Sequence, residues 1–599
     1  MNLAGIAFDV ALGLAVAAAV AAVASPVALR ALVSGAGTAL SGLAAMIAGV
    51  AALAGQSFAL GASGVLPLFG IRLAIDPLGG LFVTLLGAVT AVVAVYGLGR
   101  ADGVTVPALV PLLSAAMLLV AAADGVGTFL LGWQLMIVTA LPLVHRPRTA
   151  AGLEFAVLSQ AGFVAITVGL LVLGGDSFPA VRAARSPLAA VVFLVALLGF
   201  AVTIGVAARA AAAAPGRVSA LFSVGMAGLG GYGLVRVGLD LLGGGAGWWW
   251  AVVLVLGAGA AVAGMARAAR ATDLQRLLGS AAAANLGVVL VGVGAAGVFA
   301  AGGRPVLAGL ALAAGLLHVV NHAATLTLLS LGAASVEQAT GTRELAALGG
   351  LRAGMPLTTV GFGLGALGAS ALPGGAAFVS VWLLLQSLVH GVPSAGPGSA
   401  VLLSVAVAAV ALTAGLAIAT FVRAFGVGFL GRDRRTTTES PHFPLAAMGL
   451  AAVAGVVLAL APTLVLPAVG TVTRTLTGTE STGGATTVEL STVAGSLSPL
   501  LTVAALLVGA GVVIGGLRLL AVRPRRTVPV WSGGLPAGTA GTPFAVPLPE
   551  ISTRVPRLPA VGGAWERVAR ALGTGSANRY LGVGLSAVTG LLIVLAVVR

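Results

Sequence analysis

Long runs of apolar residues without a single charged side chain constrain this sequence more than any other feature. Residues 188–206 and 445–466 are two such runs. A helix that crosses a bilayer needs about 20 apolar residues, whereas the strands of a membrane barrel alternate over short stretches. Only 8% of all residues are charged, against roughly a quarter in soluble proteins. The sequence therefore predicts an all-α polytopic membrane protein, in a cell membrane and crossing it many times.

The apolar windows predict about 16–17 transmembrane helices. Five regions are expected: N-terminal membrane helices at 1–100, a central core at 101–440, C-terminal membrane helices with a Thr-rich loop at 441–521, an extramembrane Pro- and Arg-rich segment at 522–578, and a final membrane helix at 579–599. The Thr-rich loop is expected at residues 471–492, where apolar residues give way to Thr and Gly.

The charged residues and the absent cysteines exclude several classes of site. No cysteine is present, so the chain itself can hold neither a disulfide nor an iron–sulfur cluster. The formal net charge is +15, and all 31 basic residues are arginine, since the sequence has no lysine. In a membrane protein such charge is expected to face the cytoplasm and anionic lipid, not nucleic acid. The expected surroundings are therefore the lipid bilayer, with no nucleic-acid partner.

No enzyme site is visible in the sequence. There is no Gly-rich phosphate loop, no nucleophile with a plausible base and no convincing metal-ligand spacing, and the many Gly-x-Gly pairs lie within apolar helices. We therefore expect no catalytic residue, no metal and no cofactor bound by this chain.

Several short segments follow one another in an order that is familiar from a known superfamily. They are 75–78 (IDPL), 129–136 (FLLGWQLM), 214–221 (APGRVSAL), 231–236 (GYGLVR), 273–278 (DLQRLL), 317–323 (LHVVNHA), 371–373 (ALP), 378–382 (FVSVW) and 421–426 (FVRAFG). In this order they resemble the antiporter-like membrane subunits shared by respiratory complex I, membrane-bound hydrogenases and multi-subunit sodium/proton antiporters. Residues 219–221 with 232–234, and 530–534 (VWSGG), are most similar to the hydrogenase-4 component B group.

This resemblance implies a fold and a function for the 101–440 core. The expected fold has two inverted five-helix repeats containing broken helices, a design that places helix ends beside a polar cavity. In the family a lateral hydrated axis, lined by Glu, Lys and His side chains, carries protons. The expected partners are the other membrane and peripheral redox subunits of a multi-subunit complex. Through such a complex the chain could be catalogued as an oxidoreductase.

The family's proton carriers are replaced in this sequence. By the resemblance, the fifth-helix Glu corresponds to Gln134, two lysines correspond to Gly228 and Leu326, and a later ionisable residue corresponds to Val381. An acidic position corresponds to Ala284. Lysine can relay protons because burial brings its pKa into a usable range, whereas arginine keeps its proton. A chain without lysine is therefore not expected to pump protons in the usual way.

Two histidines and an asparagine remain from the family's polar set. His318 and His322 are four residues apart, on one face of a helix, with Asn321 between them. Together with Gln134 they form the candidate ion path. Three interpretations stay open: packing against a broken helix, a polar conduit, or a metal site, although no third ligand lies nearby in sequence.

Two functions of different classes follow. The first is an antiporter-like subunit of a respiratory hydrogenase or complex I-like assembly, acting as a scaffold or a modified conduit. The alternative is a secondary transporter, stand-alone or partnered, for an uncharged or small substrate, because a cavity without charge suits such a substrate.

Overall fold

The computed structural model describes residues 2–62, 70–100, 103–145, 151–184, 186–393, 396–430, 436–479, 482–483, 487–490 and 495–520. Within these residues the chain divides into two compact units, the first ending at Gly245 and the second beginning at Ala246. The expected extramembrane segment 522–578, the final helix 579–599 and the motif at 530–534 lie outside the described residues.

Unit 1 consists mainly of membrane-length helices. They are α1 (Leu3–Ala24), α2 (Val27–Leu53), α3 (Pro77–Gly97), α4 (Thr105–Ala121), α5 (Val126–Val144), α6 (Ala151–Val172), the short α7 (Phe178–Ala184), α8 (Ala189–Ala213) and α9 (Ala227–Val235). An antiparallel hairpin, β1 (Ala59–Ala62) with β2 (Ile71–Ala74), lies between α2 and α3. The small residues of these helices permit close packing: a Cβ atom added at Gly42 of α2 would lie 2.6 Å from the carbonyl oxygen of Gly87 of α3.

The span Gly216–Leu241 of unit 1 is irregular along its length. It begins as a 3₁₀ turn at Gly216–Val218, continues as π-helix at Leu221–Met226, becomes α9, and returns to π-helix at Arg236–Leu241. Wide π-helical turns are rare and often occur at functional sites. The span is rich in glycine and its candidate membrane window is wholly buried within the protein.

An ion-pair network connects elements at one end of unit 1. The guanidinium of Arg236 donates to both carboxylate oxygens of Asp76, at 2.5 and 2.7 Å, and to Asp240 at 2.7 Å. Arg182 of α7 binds Asp240 through a second pair of hydrogen bonds, at 2.7 and 2.9 Å. The Arg236 side chain is only 3% exposed. The network therefore ties the start of α3 to the π-helical segment and to α7.

Asp76 also caps α3, as its position before Pro77 predicts. Its Oδ1 accepts a hydrogen bond from the backbone N–H of Gly79 at 2.8 Å. Burial opposes ionisation of this carboxyl, which lies just outside α3, but Arg236 and the Gly79 N–H hold its pKa below the ordinary value. Asp76 is therefore a charged partner of Arg236 at neutral pH.

Unit 2 contains the remaining described helices. They are α10 (Gly247–Arg270), α11 (Leu274–Ala301), α12 (Pro305–Thr340), α13 (Pro356–Ala369), α14 (Ala377–Gly391), α15 (Pro397–Gly428), α16 (His442–Leu460), α17 (Leu466–Thr477) and α18 (Pro499–Leu520). Helix α13 has 14 residues, about 21 Å at 1.5 Å per residue, which is shorter than the about 30 Å of hydrocarbon in a bilayer. The chain turns between α13 and α14 at Pro373 and Gly374, where Gly374 takes a φ of +87°.

The expected fold class is confirmed. Thirteen helices among the described residues are long and apolar enough to cross a membrane, and three shorter apolar helices, α4, α13 and α14, accompany them. The predicted Thr-rich loop at 471–492 is only partly a loop. Its first residues complete α17, and β3 (Thr482–Gly483), β4 (Val488–Leu490) and β5 (Ser496–Leu497) pair as a small antiparallel sheet. Thr473, Thr475 and Thr477 lie in α17 and Thr482 lies in β3, so a high Thr content did not distinguish a loop from regular structure.

Candidate functional site

A buried cluster of polar side chains forms around His318 in unit 2. The Nδ1 atom of His318 lies 2.9 Å from Ser380 Oγ of α14, and its Nε2 atom lies 3.2 Å from Asn285 Oδ1 of α11. The amide of Asn321 donates to the same Ser380 Oγ at 3.1 Å. His318, Asn321 and Ser380 are each at most 3% exposed. The cluster therefore joins three helices through side-chain hydrogen bonds in the interior of unit 2.

Hydrogen-bond directions in this cluster admit two complete arrangements. Asn285 Nδ2 donates to the carbonyl of Ala281 at 2.9 Å, so Asn285 Oδ1 accepts from His318 Nε2–H. Ser380 has one hydroxyl proton, which can go to His318 Nδ1 or to the carbonyl of Ala377 at 2.9 Å. In the first case the imidazole is neutral, and in the second both ring nitrogens donate and it is a cation. Rotation of a single hydroxyl thus allows His318 to be satisfied with or without an added proton.

The positions in unit 2 to which the resemblance assigns carriers hold buried apolar side chains. Leu326 and Ala284 are fully buried, and Val381 is 9% exposed. None of these side chains can bind a proton. A proton on His318 would therefore have neither an adjacent carrier nor a counter-charge at these positions, and an uncompensated charge in such an interior costs several kcal/mol.

Other buried polar atoms of unit 2 lack a hydrogen-bond partner among the described residues. Among them are the amide atoms of Gln275, the Oδ1 atom of Asn321 and the hydroxyls of Thr327 and Ser330. Such atoms are usually paired with protein groups or with ordered water. Three of these residues belong to α12, the helix of His318, so this helix carries polar groups beyond the His318 cluster.

Gln134 lies in unit 1 and belongs to a second set of polar side chains. Its two amide atoms are buried, and within the described part of the chain they have no hydrogen-bond partner. The same holds for Trp133 Nε1 on α5 and for Ser159 Oγ and Gln160 Oε1 on the neighbouring α6. These two helices thus offer donors and acceptors, but the amides and the hydroxyl among them do not titrate.

Gly228 is buried in α9, and a Cβ atom added there would meet no atom within 4 Å. By contrast, a Cβ atom at Gly233 would lie 2.3 Å from the ring of Phe200. Unit 1 therefore contains open space at the position where the resemblance places a lysine.

The structure brings together three of the four residues of the candidate ion path. His318, Asn321 and the buried His322 lie on α12, while Gln134 lies in unit 1. Sequence reasoning did not select Ser380 and Asn285 as site residues. Each directly adjoins a position to which the resemblance assigns a carrier, Val381 and Ala284 respectively, and this adjacency was the available signal. No group of three or more His, Asp or Glu side chains that could hold a metal occurs in the described ranges.

Comparison with known proteins agrees with this architecture. A family model described as NADH:quinone oxidoreductase/Mrp antiporter, TM, matches residues 123–413. An uncharacterized protein of Mycobacterium tuberculosis (strain ATCC 25618 / H37Rv) is 42% identical over 461 residues, which cover 73% of this chain and 72% of that protein. Hydrogenase-4 component B of Escherichia coli (strain K12) is 31% identical over 394 residues, covering 61% of this chain and 58% of its own length.

A solved structure shares the fold over nearly the whole chain. It is a chain of the membrane-bound sulfane sulfur reductase, an archaeal respiratory membrane complex, with a TM-score of 0.75 and 21% sequence identity. The match covers 98% of this chain and 100% of that chain. At this identity the likeness concerns the fold alone.

Proposed function

Because the chain belongs to the NADH:quinone oxidoreductase/Mrp antiporter family of transmembrane subunits, we propose that it is a subunit of a respiratory hydrogenase or complex I-like assembly that no longer pumps protons in the family's usual way. In such an assembly it would act as a scaffold or as a modified conduit. It would bind no redox group of its own and would work beside membrane and peripheral redox subunits.

What supports this proposal is that the positions to which the resemblance assigns the Glu and Lys carriers hold side chains that do not titrate. A relay needs successive groups that bind and release a proton inside a low-dielectric interior. Gln134 does not titrate, Gly228 has no side chain, and Leu326, Val381 and Ala284 are apolar. No shift of the alignment with the family can place a lysine at these positions, because the sequence contains none.

The His318 cluster is suited to a more limited task. Rotation of the single Ser380 hydroxyl satisfies the hydrogen bonds of a neutral or a protonated His318, but the protonated form bears the cost of an uncompensated buried charge. Apart from His322 on the same helix, the positions assigned to carriers do not titrate, so this exchange stays local to α11, α12 and α14. We therefore assign the cluster to joining these helices, and to polarising water if water enters.

Affinity purification of the full chain from its native membrane in mild detergent tests membership in an assembly. We expect membrane and peripheral redox subunits to be recovered in fixed proportion to the tagged chain, as identified by mass spectrometry. The same purification in a harsh detergent is the control, since it should release these partners. Recovery of the chain alone in mild detergent would contradict the proposal and would favour the secondary transporter.

A further inference from the structure

The two ends of the helix bundle in unit 2 can be identified from backbone hydrogen bonds between its loops. At one end the N–H of Leu274, the first residue of α11, donates to the carbonyl of Arg343 after α12, at 2.9 Å. The N–H of Arg352, before α13, donates to the carbonyl of Phe429 after α15, at 3.2 Å. Because α10 ends just before α11 begins, these bonds bring together the C-terminal ends of α10, α12 and α15 and the N-terminal ends of α11 and α13. We call this end, with residues 267–276, 337–358, 423–429 and Glu439, the basic end of unit 2.

The opposite end of unit 2 is assembled from the other ends of the same helices. Thr479 Oγ1, just after α17, donates to the carbonyl of Pro305, the first residue of α12, at 2.8 Å. A Cβ atom added at Gly247, where α10 begins, would lie 3.5 Å from the Cβ atom of Ala301, where α11 ends. Helix α10 has 24 residues, about 36 Å at 1.5 Å per residue, so it can span the about 30 Å of hydrocarbon between the two ends.

The arginines of unit 2 are distributed unequally between these ends. Arg304 and Arg474 lie at the opposite end, and contacts do not place Arg518 of α18 at either. Arginine in short loops beside membrane helices is typical of the cytoplasmic side of a membrane protein. The basic end carries Arg267, Arg270, Arg276, Arg343, Arg352 and Arg423.

Most of the described carboxylates at the basic end are engaged within the chain. Asp273 caps α11. Glu439 caps α13 from the segment after α15, and its Oε1 accepts from Thr358 Oγ1 at 2.6 Å. Glu337 forms an ion pair with Arg343 at 2.6 Å. Even with these carboxylates and the exposed Glu344 subtracted, the arginines leave a net positive charge at this end.

Three of these arginines are open to contacts outside the chain. Arg267, Arg276 and Arg352 are exposed, and their guanidinium groups have no ion pair or hydrogen bond with another residue that the structure describes. Arg267 lies in the last turn of α10, and further along this helix the apolar Val255 is 55% exposed. Arg352 lies before α13, whose first turn leaves Leu357 60% exposed. The three guanidinium groups therefore lie where the lipid-facing apolar surface of the helices ends, at the level of lipid headgroups.

We propose that the basic end of unit 2 lies at the cytoplasmic surface of the membrane, with Arg267, Arg276 and Arg352 against the anionic headgroups of that leaflet. The negative surface potential of the cytoplasmic leaflet attracts basic residues beside a membrane helix. The opposite end, where α10 begins with an exposed Trp248, then lies at the other membrane surface, and Trp is enriched at such interfaces. This orientation does not depend on whether the chain joins a larger assembly.

The absence of cysteine from the sequence allows a direct test of this orientation. A single cysteine is introduced in the full chain, either at the basic end as Thr272→Cys or at the opposite end as Ala301→Cys, and both positions are exposed. Spheroplasts and inside-out vesicles are treated with a membrane-impermeant maleimide, and the unsubstituted chain, which cannot react, is the blank. We expect Ala301→Cys to react in spheroplasts only and Thr272→Cys in inside-out vesicles only. The reverse pattern would overturn the orientation, and so would a variant that reacts in both preparations or in neither.

Nanodiscs of phosphatidylcholine, with and without phosphatidylglycerol, test the contact with anionic headgroups. We expect phosphatidylglycerol to raise the melting temperature of the wild type, and Arg267→Gln/Arg276→Gln/Arg352→Gln to lose at least about half of that rise. The matched control is Arg182→Gln/Arg209→Gln/Arg343→Gln, which removes the same formal charge from arginines that are already paired with carboxylates and should keep the rise. No rise in the wild type, a full rise in the first variant, or equal losses in both variants would overturn the headgroup contact.

Discussion

At the scale of single residues, the hydroxyl of Ser380 has three hydrogen-bond partners. Its Oγ atom lies within hydrogen-bond distance of His318 Nδ1, accepts from the Asn321 amide and can donate to the Ala377 carbonyl. Removing it would leave a buried amide donor and one ring nitrogen of His318 without a partner. The penalty for leaving buried polar groups unsatisfied is about 1–3 kcal/mol each, larger than the net gain from one ordinary hydrogen bond.

We therefore expect Ser380→Ala to destabilise the protein by about 2 kcal/mol or more, measured by graded SDS unfolding in mixed micelles. Ser387→Ala is a matched control on the same helix. Ser387 is also fully buried, but within the described residues its hydroxyl donates one hydrogen bond, to the Leu384 carbonyl at 2.7 Å. Ser387→Ala should therefore lower the free energy of unfolding by at most about 1 kcal/mol. Equal destabilisation by the two variants would argue against a cooperative His318 cluster.

The sequence predicted which residues of a motif share a helix, but it did not predict which distant residues they contact. The i, i+4 spacing predicted that His318 and His322 lie on one face of a helix. The absence of lysine excluded a proton relay through lysine side chains. The contacts of His318 lie 33 and 62 residues away on other helices, and no local pattern specifies such pairs. Asp76 caps the helix that begins at Pro77, a local contact, but its bond to Arg236 spans 160 residues and no local pattern specifies it.

At the scale of elements, the Arg236 network decides how one end of unit 1 is held. Its single guanidinium serves two carboxylates, so removing it would leave Asp76 and Asp240 close together without that cation. We expect Arg236→Gln to destabilise the protein by about 3–5 kcal/mol in SDS unfolding, because a buried pair is broken on one side. Arg182→Gln, whose side chain is 38% exposed, should cost no more than about 1 kcal/mol.

The effect of Arg236→Gln should also depend on pH. Because the folded-state pKa of Asp76 lies below its ordinary value, its contribution is fully present above that value, about 3.9, and is lost as the pH falls through the folded-state pKa. The difference in stability between wild type and Arg236→Gln should therefore be steady near neutral pH and shrink in acid, as Asp76 takes up a proton. A difference that stayed constant down to pH 2 would contradict this role for Asp76.

At the scale of the whole molecule, the proposed loss of proton pumping can be tested directly by measuring proton movement. In vesicles with an imposed pH gradient, we expect wild-type protein to admit protons no faster than protein-free vesicles, as measured with a pH-sensitive dye. Leu326→Lys alone should not change this, nor should Gly228→Lys, although open space surrounds Gly228. Each variant places a lysine at one of the proposed carrier positions, while the other proposed positions stay apolar or neutral.

An uncoupler added at the end of each run is the control: a change in the dye signal at that point shows that the pH gradient was still intact. Robust proton uptake by the wild type or by the single variant Leu326→Lys would show that the missing carriers are not required, and the proposed loss of pumping would fail.

The fold itself could be predicted at this scale, because apolar runs and motif order report on helices directly. The division into two compact units could not, since it depends on contacts between helices that are distant in sequence.

The network around Arg236 has a mechanical consequence for any transport cycle. A transporter that works by alternating access must open each of its ends in turn, and opening is inexpensive only where helices meet through weak contacts. In unit 1 the end that holds Asp76 is fastened by charged hydrogen bonds between α3, α7 and the π-helical segment. Motion within this unit would therefore pivot about that end, and any gate would lie away from it.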